Sequence, residues 1–246
     1  MRVSLGTKKN YEYVLNQFRR FLGGKIDHTD LKQVKYAEFQ KFLADQGLKD
    51  SYIVQIMVQL KTMIKLHNKT RATDFSIPEL IVSKPKTNHK YLTLEQIKTI
   101  ESLELDRNLS YYRMCFMVQV KTGMAYDDLM KVKSENIEQI GDGFMLRFYR
   151  GKTKVETRIP VSEEVKAMIE KLEFVSYHTY RRALIELGAL AGFPITSHMA
   201  RHTFGTMLAK KGIYREHIAA MMGHGSTQTT ARYSYIPDDT LLNIKI

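Results

Sequence analysis

His198-Met-Ala-Arg201-His-Thr-Phe204 and, further on, Met222-Gly-His224-Gly-Ser226-Thr-Gln-Thr-Thr230-Ala-Arg-Tyr233 are the stretches whose reading decides the fold. Three residues apart on a helix, His198 and Arg201 share a face. A histidine titrates near neutrality and an arginine offers a rigid fork to phosphate oxygens, so the pair suits phosphoryl-transfer chemistry. The same spacing also arises in helices with no such role. His202 stands four residues from His198 and invites a metal reading. Position 199 is Met rather than the Glu of H-E-x-x-H, and no cysteine lies nearby, so no metal is expected. Gly223-His224 follows the apolar Ile218, Met221 and Met222, which puts the imidazole at a helix end. The Ser/Thr run can cap a new helix, with Tyr233 near its second turn. A tyrosine becomes a nucleophile when a base takes its proton and cations gather the phosphate. Taken singly, Tyr233 and Tyr235 are two of 14 tyrosines, and ordinary packing explains either.

Composition sets the wider frame. The 246 residues carry 38 Lys+Arg against 26 Asp+Glu, a formal charge of +12. That length suggests one or two domains with real cores. A hydrophobic content of 43% excludes a disordered chain. No apolar run approaches the roughly 18–20 residues of a membrane helix, and the N-terminus lacks the apolar core of a signal peptide. The single Cys115 excludes an internal disulfide framework. The expectation is a soluble intracellular protein. Residues 1–90 hold 17 Lys+Arg and 8 Asp+Glu, whereas residues 91–246 hold 21 and 18. Such asymmetry points to a polyanion met by the first segment, nucleic acid above all, with a merely solubilising surface as the alternative.

Apolar periodicity predicts helices over 7–23, 36–46 and 51–66, which together make a small helical domain of residues 1–85. The polar, Pro85-containing stretch that follows reads as a linker, residues 86–90, ahead of a second domain over 91–246. That domain opens with a capping box, Thr93 with Gln96, and a staple of Leu92 with Ile97. Helical patterning returns at about 108–121 and again after Asp127. Phe144–Tyr149 and Val155–Val161, around a tip containing Gly151, read as a hairpin. From Ser162 onward the pattern is helical almost to the end.

Taken together, the C-terminal blocks resemble those of the tyrosine recombinase (phage integrase) family. Ala200-Arg-His-Thr-Phe204 is similar to its RHTF block, and Gly223–Tyr233 to its GHxSxxTTxxY block, with nine residues from His224 to Tyr233. Tyr91-Leu-Thr-Leu-Glu95 resembles the start of its catalytic domain, and the first 85 residues its core-binding domain. The resemblance implies a mainly α fold: a small helical core-binding domain plus a mostly helical catalytic domain with a small antiparallel sheet, the two clamping a duplex. It implies that Tyr233 attacks a scissile phosphate to leave a 3′-phosphotyrosyl link. Arg201 would hold the non-bridging oxygens, His198 would give the tyrosine acid–base support, and His224 would bond the phosphate. Lys152, in Arg150-Gly-Lys-Thr153, matches the lysine that acts as general acid for the 5′-oxygen, with Lys154 as the alternative.

One block departs from the pattern. Where the family has TGxRxxE, this chain reads Thr122-Gly-Met-Ala125-Tyr-Asp-Asp128, so the first arginine is an alanine. Relatives resembling those of Bacteroidetes mobile elements share a TGxAYxD-like block, and Arg150 is the candidate substitute, ahead of Arg147 and Lys121. The implied function is site-specific recombination of double-stranded DNA through a Holliday junction, without ATP, metal or other cofactor. The alternative is a catalytically impaired DNA-binding protein of the same fold. The implied assembly is a homotetramer on DNA from a monomer when free, with no membrane, in the bacterial cytoplasm on the nucleoid. The apolar tail, Leu241 to Ile246, would pack on its own domain or dock on a neighbouring subunit. Lys8, Lys9, Arg19, Arg20, Lys61 and Lys65 are candidate DNA contacts. On this length no arm-binding domain is expected ahead of residue 1, an expectation that favours short core sites.

Overall fold

A computed structural model describes residues 5–26, 31–32, 34–79 and 90–225. The chain divides into two compact units, Met1–Thr87 and Asn88–Ile246.

In the first unit, apolar residues at helical spacing build α1 (Leu5–Phe21), α2 (Tyr36–Asp45) and α3 (Asp50–Arg71). Val14 and Phe18 of α1, Phe39 and Leu43 of α2, and Ile53, Ile56, Met57, Leu60 and Ile64 of α3 form its buried core. Aromatic rings dominate it: Phe18 meets Phe39 edge-on at 5.1 Å, and Phe21 lies 5.2 Å from the same ring. Truncating such a ring to alanine typically costs about 3–5 kcal/mol. Helix α3 runs five residues past the predicted end at Leu66. Apolar periodicity stops there, but Asn68 continues the order. Its backbone carbonyl accepts the amides of Ala72 and Thr73. Its side-chain oxygen accepts Thr73 Oγ1 and Phe75 N, and its amide donates to Phe75 O at 2.9 Å.

The second unit begins as predicted with the Thr93–Gln96 capping box, both bonds present at 3.0 and 3.2 Å. Its helices are α4 (Leu94–Ser102), α5 (Arg107–Thr122), a single turn α6 (Tyr126–Leu129), α7 (Glu163–Glu170), α8 (Tyr177–Ala191), α9 (Ser197–Lys210) and α10 (Arg215–Met222). Helix α5 is the axle. Cys115 through Val120 are all buried, because α7, α8 and α9 all pack against it. The polar Gln119 survives there by full pairing, donating to Met124 O at 3.0 Å and accepting from Tyr180 Oη at 2.7 Å. Thr203 of α9 is likewise buried, donating to Met199 O at 2.8 Å and accepting the Leu92 amide at 2.9 Å.

One expectation is corrected and one is extended. The helical pattern after Asp127 yields only the turn α6 and a short 3-10 helix, Ser134–Asn136. The expected hairpin is present as β2 (Gly143–Tyr149) and β3 (Glu156–Val161), and a further strand, β1 (Ile137–Ile140), extends it to a three-stranded antiparallel sheet. β1 is four residues long and its last three are exposed, so it carries no alternation for a sequence reading to find. β2 and β3 pair from Phe144↔Val161 to Tyr149↔Glu156, with Leu146 and Ile159 turned inward.

Candidate active site

The site is built where α9, the end of α10, the loop after α5 and the β2–β3 tip meet. Thr196 caps α9 by accepting the Met199 amide at 3.2 Å, which puts His198 on the first turn and Arg201 one turn further in. His198 is exposed and His202 buried, their rings edge-on at 4.4 Å. Among the described residues no three His, Cys, Asp or Glu side chains converge.

Arg201 is 7% exposed. Its Nη1 donates to Gly123 O at 2.5 Å and its Nη2 to Met222 O at 2.6 Å. Both acceptors sit at helix C-termini, where carbonyls lack partners and the helix dipole favours a cation. Gly123 and Gly223 are the left-handed residues that close α5 and α10, with φ of +67° and +57°. A side chain at either position would be strained and would force its neighbours to shift. A Cβ on Gly123 would run into the Phe204 ring, and one on Gly223 would collide with the Arg150 side chain and Thr157 Oγ1.

Arg150 arrives from the end of β2. Its Nε donates to Asp128 Oδ2 at 3.1 Å and its Nη1 to Gly223 O at 3.3 Å. Asp128 uses its other oxygen to accept the Gly151 amide at 3.0 Å, and Thr153 Oγ1 donates to Gly223 O at 3.0 Å. Thus Arg201 and Arg150 reach successive carbonyls, Met222 and Gly223, immediately before the half-buried His224. Ala125 lies between the two residues that hold them, Gly123 and Asp128, at the start of α6. Next to it, Tyr126 donates to the Val175 carbonyl and lies against Tyr180, which ties this loop to α8.

The other candidates fall elsewhere. Lys152 and Lys154 are exposed on the tip, Lys154 with φ +58°. Lys121 pairs with Glu164 at 2.7 Å and Arg147 with Glu138 at 2.8 Å, which turns both cationic heads toward other partners. In the first unit Lys8, Lys9, Arg19, Arg20 and Lys65 are exposed and Lys61 half-buried. Lys8 with Arg19 and Lys9 with Arg20 are each eleven residues apart on α1, close to three turns, so each pair shares a side about 16 Å long. Tyr233, the Ser226–Thr230 run, the Leu241–Ile246 tail and most of the 86–90 linker lie outside the described residues. Sequence reading missed the part of Thr153, whose only signal was its place beside Lys152, and gave Asp128 no partner.

The phage integrase family model matches residues 173–238, the segment that contains His198, Arg201, His224 and Tyr233. Over that segment the chain matches the phage integrase family, and relatives aligned over nearly its full length are tyrosine recombinases and transposases. Over 93% of its length it is 25% identical to transposase B of transposon Tn554 from Staphylococcus aureus (strain Mu50), and it spans 42% of that protein. It is 22% identical to the tyrosine recombinase XerC of Staphylococcus saprophyticus, over 97% of this chain and 89% of that one. Among solved structures, the Tn1549 transposon integrase in complex with a circular intermediate DNA superposes with a TM-score of 0.77 at 15% identity, over 98% of this chain and 93% of that one. At such identity the likeness is one of fold, and the mainly helical phage integrase architecture with its small antiparallel sheet is that fold.

Proposed function

We propose that this chain cleaves and rejoins double-stranded DNA at specific sites through a 3′-phosphotyrosyl intermediate. The observation that carries the reading is the convergence of Arg201 and Arg150 on the successive carbonyls of Met222 and Gly223, beside His224. In this reading Tyr233 Oη loses its proton to the His198 side of the site and attacks phosphorus. The P–O5′ bond breaks, and Lys152 Nζ gives a proton to the leaving oxygen. Arg201 and Arg150 stabilise the non-bridging oxygens as charge builds. A guanidinium has five N–H donors, so the two bonds that hold Arg150 leave others for a phosphate. Arg150 thereby stands in for the arginine missing at Ala125. The energy of the phosphodiester is conserved in the phosphotyrosine, so no ATP enters the scheme, and the two arginines and the lysine do the charge work that a metal does elsewhere.

The exposed lysines and arginines of α1 and α3 contact phosphates in the same reading, and four chains assemble around paired sites from free monomers before exchanging strands through a Holliday junction. The setting is DNA in the bacterial cytoplasm; no described helix is long and apolar enough to cross a membrane. Ala125 favours a second reading, a DNA-binding protein of this fold impaired in cleavage. One experiment separates them. Randomised duplexes nicked near the scissile position are incubated with the wild-type chain, and covalent protein–DNA adducts are captured. Cleavage predicts an adduct that disappears in Tyr233→Phe; duplex binding with no adduct supports the second reading.

A further inference from the structure

Lys152 sits at the apex of a tip that is already closed by its own backbone. The Arg150 amide donates to Val155 O at 3.0 Å and the Lys154 amide to Arg150 O at 3.0 Å. Thr153 adds a bond the turn does not need. Its hydroxyl reaches across 70 positions of sequence to the Gly223 carbonyl at 3.0 Å. On the other side of Lys152, the Gly151 amide is held by Asp128 Oδ1 at 3.0 Å. The lysine is therefore the exposed residue between two tethered neighbours, and one tether ends on the carbonyl that also receives Arg150.

A lysine carries its charge on a flexible four-carbon stem, so where its Cα is held decides what its ammonium reaches. We propose that Thr153 is the positioning residue of Lys152, fixing the tip to the end of α10 so that the ammonium meets the leaving 5′-oxygen in register with the two arginines. This rests on the reading of Lys152 as general acid. Such proton transfer contributes about 10²–10⁴ in rate, and a misplaced donor forfeits part of it.

The test uses a suicide duplex recovered by covalent capture on the wild-type chain, synthesised with oxygen or with sulfur as the bridging 5′ atom at the scissile phosphate. A thiolate leaves without a proton, because a thiol is acidic near pH 8.5 whereas water ionises near 15.7. Thr153→Val keeps the shape and loses the hydroxyl. It is expected to slow adduct formation about tenfold or more on the oxygen duplex, to run within about twofold of wild type on the sulfur duplex, and to be rescued by Thr153→Ser. A defect of equal size on both duplexes, or none on either, overturns the positioning role. Lys152→Ala serves as the control. If sulfur fails to rescue it, Lys152 is not the acid, and the proposal falls with the reading beneath it.

Discussion

The guanidinium of Arg150 and the carboxylate of Asp128, 22 residues apart in sequence, meet at 3.1 Å with both side chains buried. Desolvating two charges offsets much of their attraction, so such a pair adds little net stability, yet removing one partner strands the other and costs about 3–5 kcal/mol. What it secures here is the place of a cation against Asp128, three residues after Ala125 in the chain. Arg150→Ala therefore confounds chemistry with folding, and Arg150→Lys is the better probe. We expect Arg150→Lys to retain most of its thermal stability and to lose about 10²–10³ in the rate of covalent adduct formation, the scale of one lost transition-state donor. Full-rate cleavage by this variant would show that Arg150 does not replace the missing arginine.

Thr203 joins the entry of the second unit to the helix that bears His198 and Arg201, through the Leu92 amide. Thr203→Val leaves that buried amide without its acceptor. The expected cost is about 1–3 kcal/mol in chemical denaturation, and Thr203→Ser should recover most of it. Equal midpoints for Val and wild type would refute the assignment.

Cys115 is the sole cysteine and is fully buried in α5, where burial pushes its thiol up to about 11 from an ordinary value near 9. A neutral buried thiol does not react, since the thiolate is the nucleophile. Disulfide-exchange reagents at pH 8 should label the native chain only as it opens and label it completely in denaturant. Because the folded-state value is raised, the stability linked to this group is complete below pH 9 and declines as pH rises through 9 toward 11. The melting temperature should fall across that window; prompt stoichiometric labelling of the native chain would contradict the buried placement.

Lys9 and Arg20 occupy one exposed side of α1. If they contact phosphates, each alanine substitution should lower the slope of log K against log salt by about 1 and weaken binding to all duplexes alike. A loss confined to one sequence would mean base readout instead.

Much of the fold is legible along the chain because its causes are local. Periodic apolar residues give α1, α2, α5 and their inward faces; Thr93 and Gln96 cap α4 across three positions of sequence. The elements that escaped are those without a local pattern. β1 is short and exposed, and exists because β2 offers it a pairing edge. The last turns of α3 lack an apolar stripe and are finished by the side-chain bonds of Asn68.

The candidate site divides in the same way. By itself the sequence determined which residue types are present: His198, Arg201, His224, the glycines at 123 and 223, a lysine in a tight tip, and an alanine where an arginine is expected. Only the tertiary structure decided that Arg201 and Arg150 reach neighbouring carbonyls, that Asp128 holds Arg150, and that Thr153 reaches Gly223. Spacing along a helix fixes neighbours three or four residues away. Contacts across 21 to 73 residues arise when helix termini and the strand tip are gathered around the buried α5 axle, and no pairwise pattern in the chain encodes where those ends will meet.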